Sequence, residues 1–87
     1  MRFDDTYSSR EDRYSLGIES MSGRCYASIP VTSGVVDYEE YYELTTSQYH
    51  KFLDNREAAI EFVEACRLRQ HDDLLIQQPG SNRGTPI

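Results

Sequence analysis

Two adjacent runs of strict alternation, opposite in parity, constrain this chain more than any other feature. Cys25, Ala27, Ile29 and Val31 alternate with Arg24, Tyr26, Ser28 and Pro30, and Val36, Tyr38, Tyr42 and Leu44 alternate with Asp37, Glu39, Tyr41 and Glu43. A period of two is that of a half-buried strand. The apolar set is odd in the first run and even in the second. An antiparallel hairpin therefore keeps both sets on one face only if odd residues pair with even ones. A two-residue turn at Ser33-Gly34 satisfies this and predicts inner pairs Val31 with Val36, Ile29 with Tyr38, Ala27 with Glu40 and Cys25 with Tyr42. On the outer face it sets Arg24 against Glu43 and Tyr26 against Tyr41, opposite charges and paired rings that favour the same register.

A further strand is expected upstream, where Tyr14, Leu16 and Ile18 alternate with Ser15, Gly17 and Glu19 before a turn at Met21 to Gly23. Downstream, Thr46 or Ser47 caps a short helix bearing Tyr49, Phe52 and Leu53. The stretch Asp54 to Glu57 has the form of a capping box opening a longer helix to about Arg69, whose Ala59, Phe62, Val63 and Cys66 make a core-facing stripe. Leu74 to Ile76 is short enough to be a last edge strand or a packed extension. The fold expected is α+β, a three-stranded antiparallel meander with a short fourth edge strand as an option and both helices on one face. Residues 1–13 read as a flexible arm, 14–78 as the single domain and 79–87 as an irregular tail.

At 87 residues there is room for one modest core, and 38% hydrophobic with 28% charged residues is the balance of a folding chain. The net charge of −6 disfavours nucleic acid and anionic membrane surfaces as partners. No apolar run approaches the ~18 residues of a membrane span, and no leader-like core opens the chain, so a cytoplasmic protein is expected. Cys25 and Cys66 match no redox or zinc spacing and read as buried thiols. GxSxG, GxGxxG and P-loop motifs are absent, so no cofactor and no metal are expected.

The acidity is concentrated in Val35 to Leu44, VVDYEEYYEL, which holds four of the acids and three of the seven tyrosines. Two candidate sites follow. Asp37, Glu39, Tyr41 and Glu43, with Tyr26 beside them, form an acidic strip with tyrosines suited to a basic protein partner; as a bland reading they are a solvated strand face. Glu40 falls on the inner face between Tyr38 and Tyr42, where a carboxylate has to be paired or near an opening. It is a general acid, base or binding group in a tyrosine-lined recess, completed by a homodimer, or it reaches water or an internal arginine. Arg67 to Asp73, RLRQHDD, reads as a helix cap and a salt-bridge cluster joining helix to tail.

The segments Ser28-Ile29-Pro30-Val31, Val36 to Tyr42, Arg67, His71-Asp72-Asp73 and Pro79-Gly80 together resemble a family of small bacterial proteins of unassigned activity. The resemblance implies a bacterial cytoplasmic setting and brings no catalytic residues. The function expected is a non-enzymatic protein-binding module of the kind seen in small acidic immunity proteins and inhibitors that neutralise basic toxins, an analogy of charge and size. The alternative is a small enzyme or ligand-binding domain using Glu40. Self-association through an exposed sheet edge is a third expectation.

Overall fold

The computed structural model describes residues 1–80 and 83–87. It has four meandering antiparallel strands, β1 (Phe3–Ser9), β2 (Tyr14–Glu19), β3 (Cys25–Thr32) and β4 (Asp37–Leu44). Helices α1 (Thr46–Asp54) and α2 (Arg56–Arg67) follow, then a 3-10 turn at Asp72–Leu74 and a two-residue strand, β5 (Thr85–Pro86), which pairs with the end of β3. The α+β architecture is the one expected, with a larger sheet.

Both helices pack on the inner face. Leu16, Ala27, Ile29, Val31, Tyr42 and Leu44 from the sheet meet Tyr49, Phe52, Ala59, Phe62, Val63 and Cys66 from the helices. Each helix has a side-chain cap: Thr45 and Gln48 form a capping box on α1, and Asn55 accepts the Ala58 amide on α2. These caps sit within two residues of the expected positions, and the predicted α2 stripe is buried throughout.

Three expectations are corrected. The first concerns residues 1–13, which are not a loose arm, because Phe3–Ser9 pairs along β2 as an edge strand. A register shift between Asp5 and Tyr7 moves the outward set from odd to even numbers, and that irregularity erases the alternation by which a strand is read. The second concerns the β3–β4 register. Here Val31 faces Tyr38, Ile29 faces Glu40, Ala27 faces Tyr42 and Cys25 faces Leu44. The turn is centred one residue later, on Gly34-Val35, closed by Ser33 N–H donating to Val36 O at 3.0 Å. Gly34, with φ of 91°, thereby occupies the first central position, where a positive φ is tolerated without a Cβ penalty. Pairing slides by two residues, so every side chain keeps its face. The third concerns the tail. Thr85–Pro86 is a strand on β3, whereas Leu74 to Ile76 gives a single bridge, Tyr42 to Leu75, and an Ile76 amide bond to Tyr41 O. Ser81 and Asn82, within the tail, lie outside the described residues.

No helix among the described residues is long and apolar enough to cross a membrane.

Candidate functional site

Adjacent residues of β4 point to opposite faces, so VVDYEEYYEL builds two environments from one strand. On the inner side, Glu40 is buried, with 4% of its side chain exposed. Arg69 donates to Oε1 at 2.8 Å, Arg83 donates to Oε2 at 2.8 Å, and the Tyr42 hydroxyl donates to Oε1 at 3.0 Å. Arg83 also forks onto Asp72 at 2.8 and 2.9 Å. Two acids and two arginines thus balance in charge. Burial alone would raise the Glu40 carboxyl, but the bonds from Arg83 and Tyr42 and the charges of Arg83 and Arg69 outweigh it and hold the group below its ordinary value. The same network pins the end of the chain: Arg69 donates to Gly84 O, and Gly84 N–H donates to the Tyr38 hydroxyl at 2.7 Å. A Cβ on Gly84 would come within 2.5 Å of Thr32 O, so only glycine permits this approach.

Of the two roles considered for Glu40, the geometry realises the internal arginine partner. A recess of about 460 Å³ bordered by Tyr38 and the 77–80 segment lies alongside. With both oxygens occupied by guanidinium groups, however, the carboxylate is a poor proton acceptor. Arg67 to Asp73 forms the expected cluster. Arg67 pairs with Glu64 and donates to the carbonyls of Asp12 and Arg13, while His71 stacks on Phe62 with ring centroids 4.7 Å apart.

Among the described residues both helices lie against the inner face, and no helical layer covers the outer one. Its centre is aromatic: Phe3 of β1 stacks on Tyr41 of β4 at 3.6 Å between centroids and 11° between planes. Both rings stand edge-on to Tyr26. Tyr26 lies over Gly17, where a Cβ would sit 2.5 Å from its hydroxyl oxygen, and donates to the Asp5 carboxylate. Burial first, and the neighbouring Asp5 carboxylate second, push its phenol far above the ordinary range. Of the proposed binding residues, Asp37, Glu39, Tyr41 and Glu43 do share this face. Tyr26 shares it too but is 0% exposed and offers no contact surface, and Glu40 faces the core.

Within the strip the acids differ. Asp37 and Glu43 are exposed, Glu43 lying 3.9 Å from Arg24. Glu39 is half-buried beside the row Ser8, Ser15 and Ser28 that crosses β1 to β3. Burial, and then the Asp5 charge, raise its carboxyl, with the Ser28 hydroxyl partly offsetting them. Glu19, at the far end of the face, is buried and accepts the amides of Arg2, Met21 and Ser22 at 2.9 Å each, which draws its carboxyl down to about 2. It serves to close the 20–23 turn.

A recess of about 510 Å³ opens beside Glu39, lined also by Ser8, Ser15, Arg10, Arg13 and Pro30. Sequence reasoning missed it because two of its walls come from the β1–β2 turn. Burial raises both thiols, Cys66 to about 12, so neither has the low pKa of a reactive cysteine. Among the described residues no three side chains are grouped to hold a metal ion.

Comparison with family models, with curated proteins and with solved structures finds no match.

Proposed function

We propose that this chain is a protein-binding module that presents the outer face of its sheet to a basic partner. The observation supporting this is the bare face itself, with a stacked Phe3–Tyr41 pair at its centre and Asp5, Glu39, Glu43 and Asp37 around it. Interfaces that bind through few residues favour rigid aromatics at the middle and charge at the rim. Tyr26 and Phe3 hold Tyr41 in place beforehand, so little side-chain freedom is lost on contact. With Asp37, Glu39 and Glu43 of β4 on this face, the field over it steers a cationic surface toward it. An immunity or inhibitor protein acting on a basic toxin in the bacterial cytoplasm is the class that fits this chemistry, and the two free, buried cysteines agree with a reducing compartment.

The test is a comparison at equal net charge. Asp37→Lys with Glu43→Lys reverses two exposed rim acids of the outer face, and Asp54→Lys with Glu61→Lys reverses two exposed acids of the helical layer. A basic protein retained from source-cell lysate by wild type and by the helix variant, and lost with the sheet variant, is the expected result. Equal retention by both variants refutes the reading.

A further inference from the structure

The recess beside Glu39 has a polarity that a basic partner does not satisfy. Arg10 and Arg13 stand on its rim, and neither makes an ion pair among the described residues, whereas Arg2, Arg24, Arg56, Arg67, Arg69 and Arg83 all do. In a chain of net charge −6 with 15 acids, two unpaired guanidinium groups on one cavity stand out. Glu39 lines the same cavity and, among the described residues, makes no ion pair either. Cation and anion therefore line one recess without forming an ion pair, and its volume of about 510 Å³ is within the range of small-molecule sites.

The rim is held in advance. Asp12 accepts from Arg56 at 2.7 Å and Ser9 Oγ accepts the Asp12 amide at 3.1 Å. The Arg67 guanidinium grips the carbonyls of Asp12 and Arg13. Arg13 itself is left-handed, φ 55°, a conformation that a non-glycine residue keeps only when its surroundings impose it. Below the rim, Ser8 and Ser15 hydroxyls hydrogen-bond each other at 2.9 Å and can turn to a ligand as donor or acceptor. Tyr14 and Pro30 supply apolar wall.

We propose that this recess binds a small molecule of mixed charge, its phosphate or carboxylate seated on Arg10 and Arg13 and its ammonium or hydroxyl donor seated on Glu39. Guanidinium pairs suit such anions because their donors match two oxygens at once. A half-buried carboxylate lacking a cation gains most from a ligand that brings one. The inference shares Glu39 with the protein-binding reading but does not rest on it, since that reading is tested at Asp37 and Glu43, neither of which lines the recess.

The experiment is a titration of the full chain, followed in amide spectra at neutral pH and constant ionic strength, with O-phosphoethanolamine, inorganic phosphate and ethanolamine as probes. Saturable shifts at Ser8, Ser9 and Ser15 are expected, with phosphoethanolamine binding about tenfold tighter than phosphate. Arg10→Gln with Arg13→Asn, the asparagine chosen because it tolerates the left-handed backbone, is expected to weaken phosphoethanolamine about tenfold or more. Glu39→Gln should erase the preference for phosphoethanolamine over phosphate while phosphate still binds, and Asp37→Lys with Glu43→Lys should leave the recess shifts in place. Absence of saturable shifts, or shifts unmoved in the arginine variant, overturns the proposal. A preference that survives Glu39→Gln removes Glu39 from it. The amide spectra report at once whether each variant is folded.

Discussion

Glu39 and Glu40 are neighbours in sequence and opposites in circumstance. Glu40 enters the core and meets two arginines and a tyrosine hydroxyl, which hold it charged and hold the chain's end in place. Glu39 is half-buried among serines with no cation upon it, and its carboxyl is raised where that of Glu40 is lowered. Alternation decides which face each one sees, but partners decide what each one does. A carboxylate whose oxygens are held by guanidinium groups is chemically quiet, and its removal leaves those cations without a partner. A carboxylate that has a serine hydroxyl but no cation beside it, as Glu39 has, is available to bind one.

The comparison breaks most sharply on removal of the two carboxylates. Glu40→Ala strands Arg69 and Arg83 against the core and should cost about 3 kcal/mol of unfolding free energy, measured in urea. Glu39→Ala should stay within about 0.5 kcal/mol of wild type. Comparable losses for the two would mean that Glu39 has a structural partner of equal weight, and the division between them would fail.

The division was half visible in the chain. Parity placed Glu40 inside and Asp37, Glu39, Tyr41 and Glu43 outside, and a carboxylate among core residues had to be paired or near an opening, with water and an internal arginine both left open. Which arginine was not readable, since Arg83 comes from a segment 43 positions away. The register slid by two because such a slip preserves every face. Only the turn distinguishes the two registers, through the preference for Gly34 in its first central position. Tyr26 looked exposed because its alternation is that of an outer residue. Its burial depends on the absent side chain of Gly17 and on Phe3 from a strand that the bulge after Asp5 disguised. The recess was hidden for the same reason, since Arg10 and Arg13 belong to the turn closing that strand.

Removing a cation sharpens the inner half of the comparison. Arg83→Gln keeps Glu40 paired with Arg69 but loses the fork to Asp72, so its cost should be smaller, about 1–2 kcal/mol. Its local signature should exceed its global one. Amide exchange should rise at Gly84 and Ile87, whose N–H groups donate to the Tyr38 hydroxyl and to Pro30 O, while Leu16 and Ala27 in the central strands stay protected. Unchanged exchange at both tail amides would show that β5 is held by its pairing with β3 alone.

The smallest effect is in pH, and there the two glutamates should differ in sign. Glu40 is lowered in the folded chain, so its contribution is fully present above the unfolded value of 4.5 and is lost as pH falls through the folded value below it. Glu39 is raised, so the folded state holds its proton longer, and stability declines as pH rises from 4.5 through the folded value. Unfolding curves of Glu40→Gln and Glu39→Gln across the acid range should therefore depart from wild type in opposite directions. The first should flatten the loss of stability toward low pH, and the second should flatten the decline on the neutral side. If a ligand with an ammonium group fills the recess, the Glu39 decline should shrink as well, because the bound cation supplies what the protein withholds; a decline unaltered by saturating phosphoethanolamine would place that cation elsewhere.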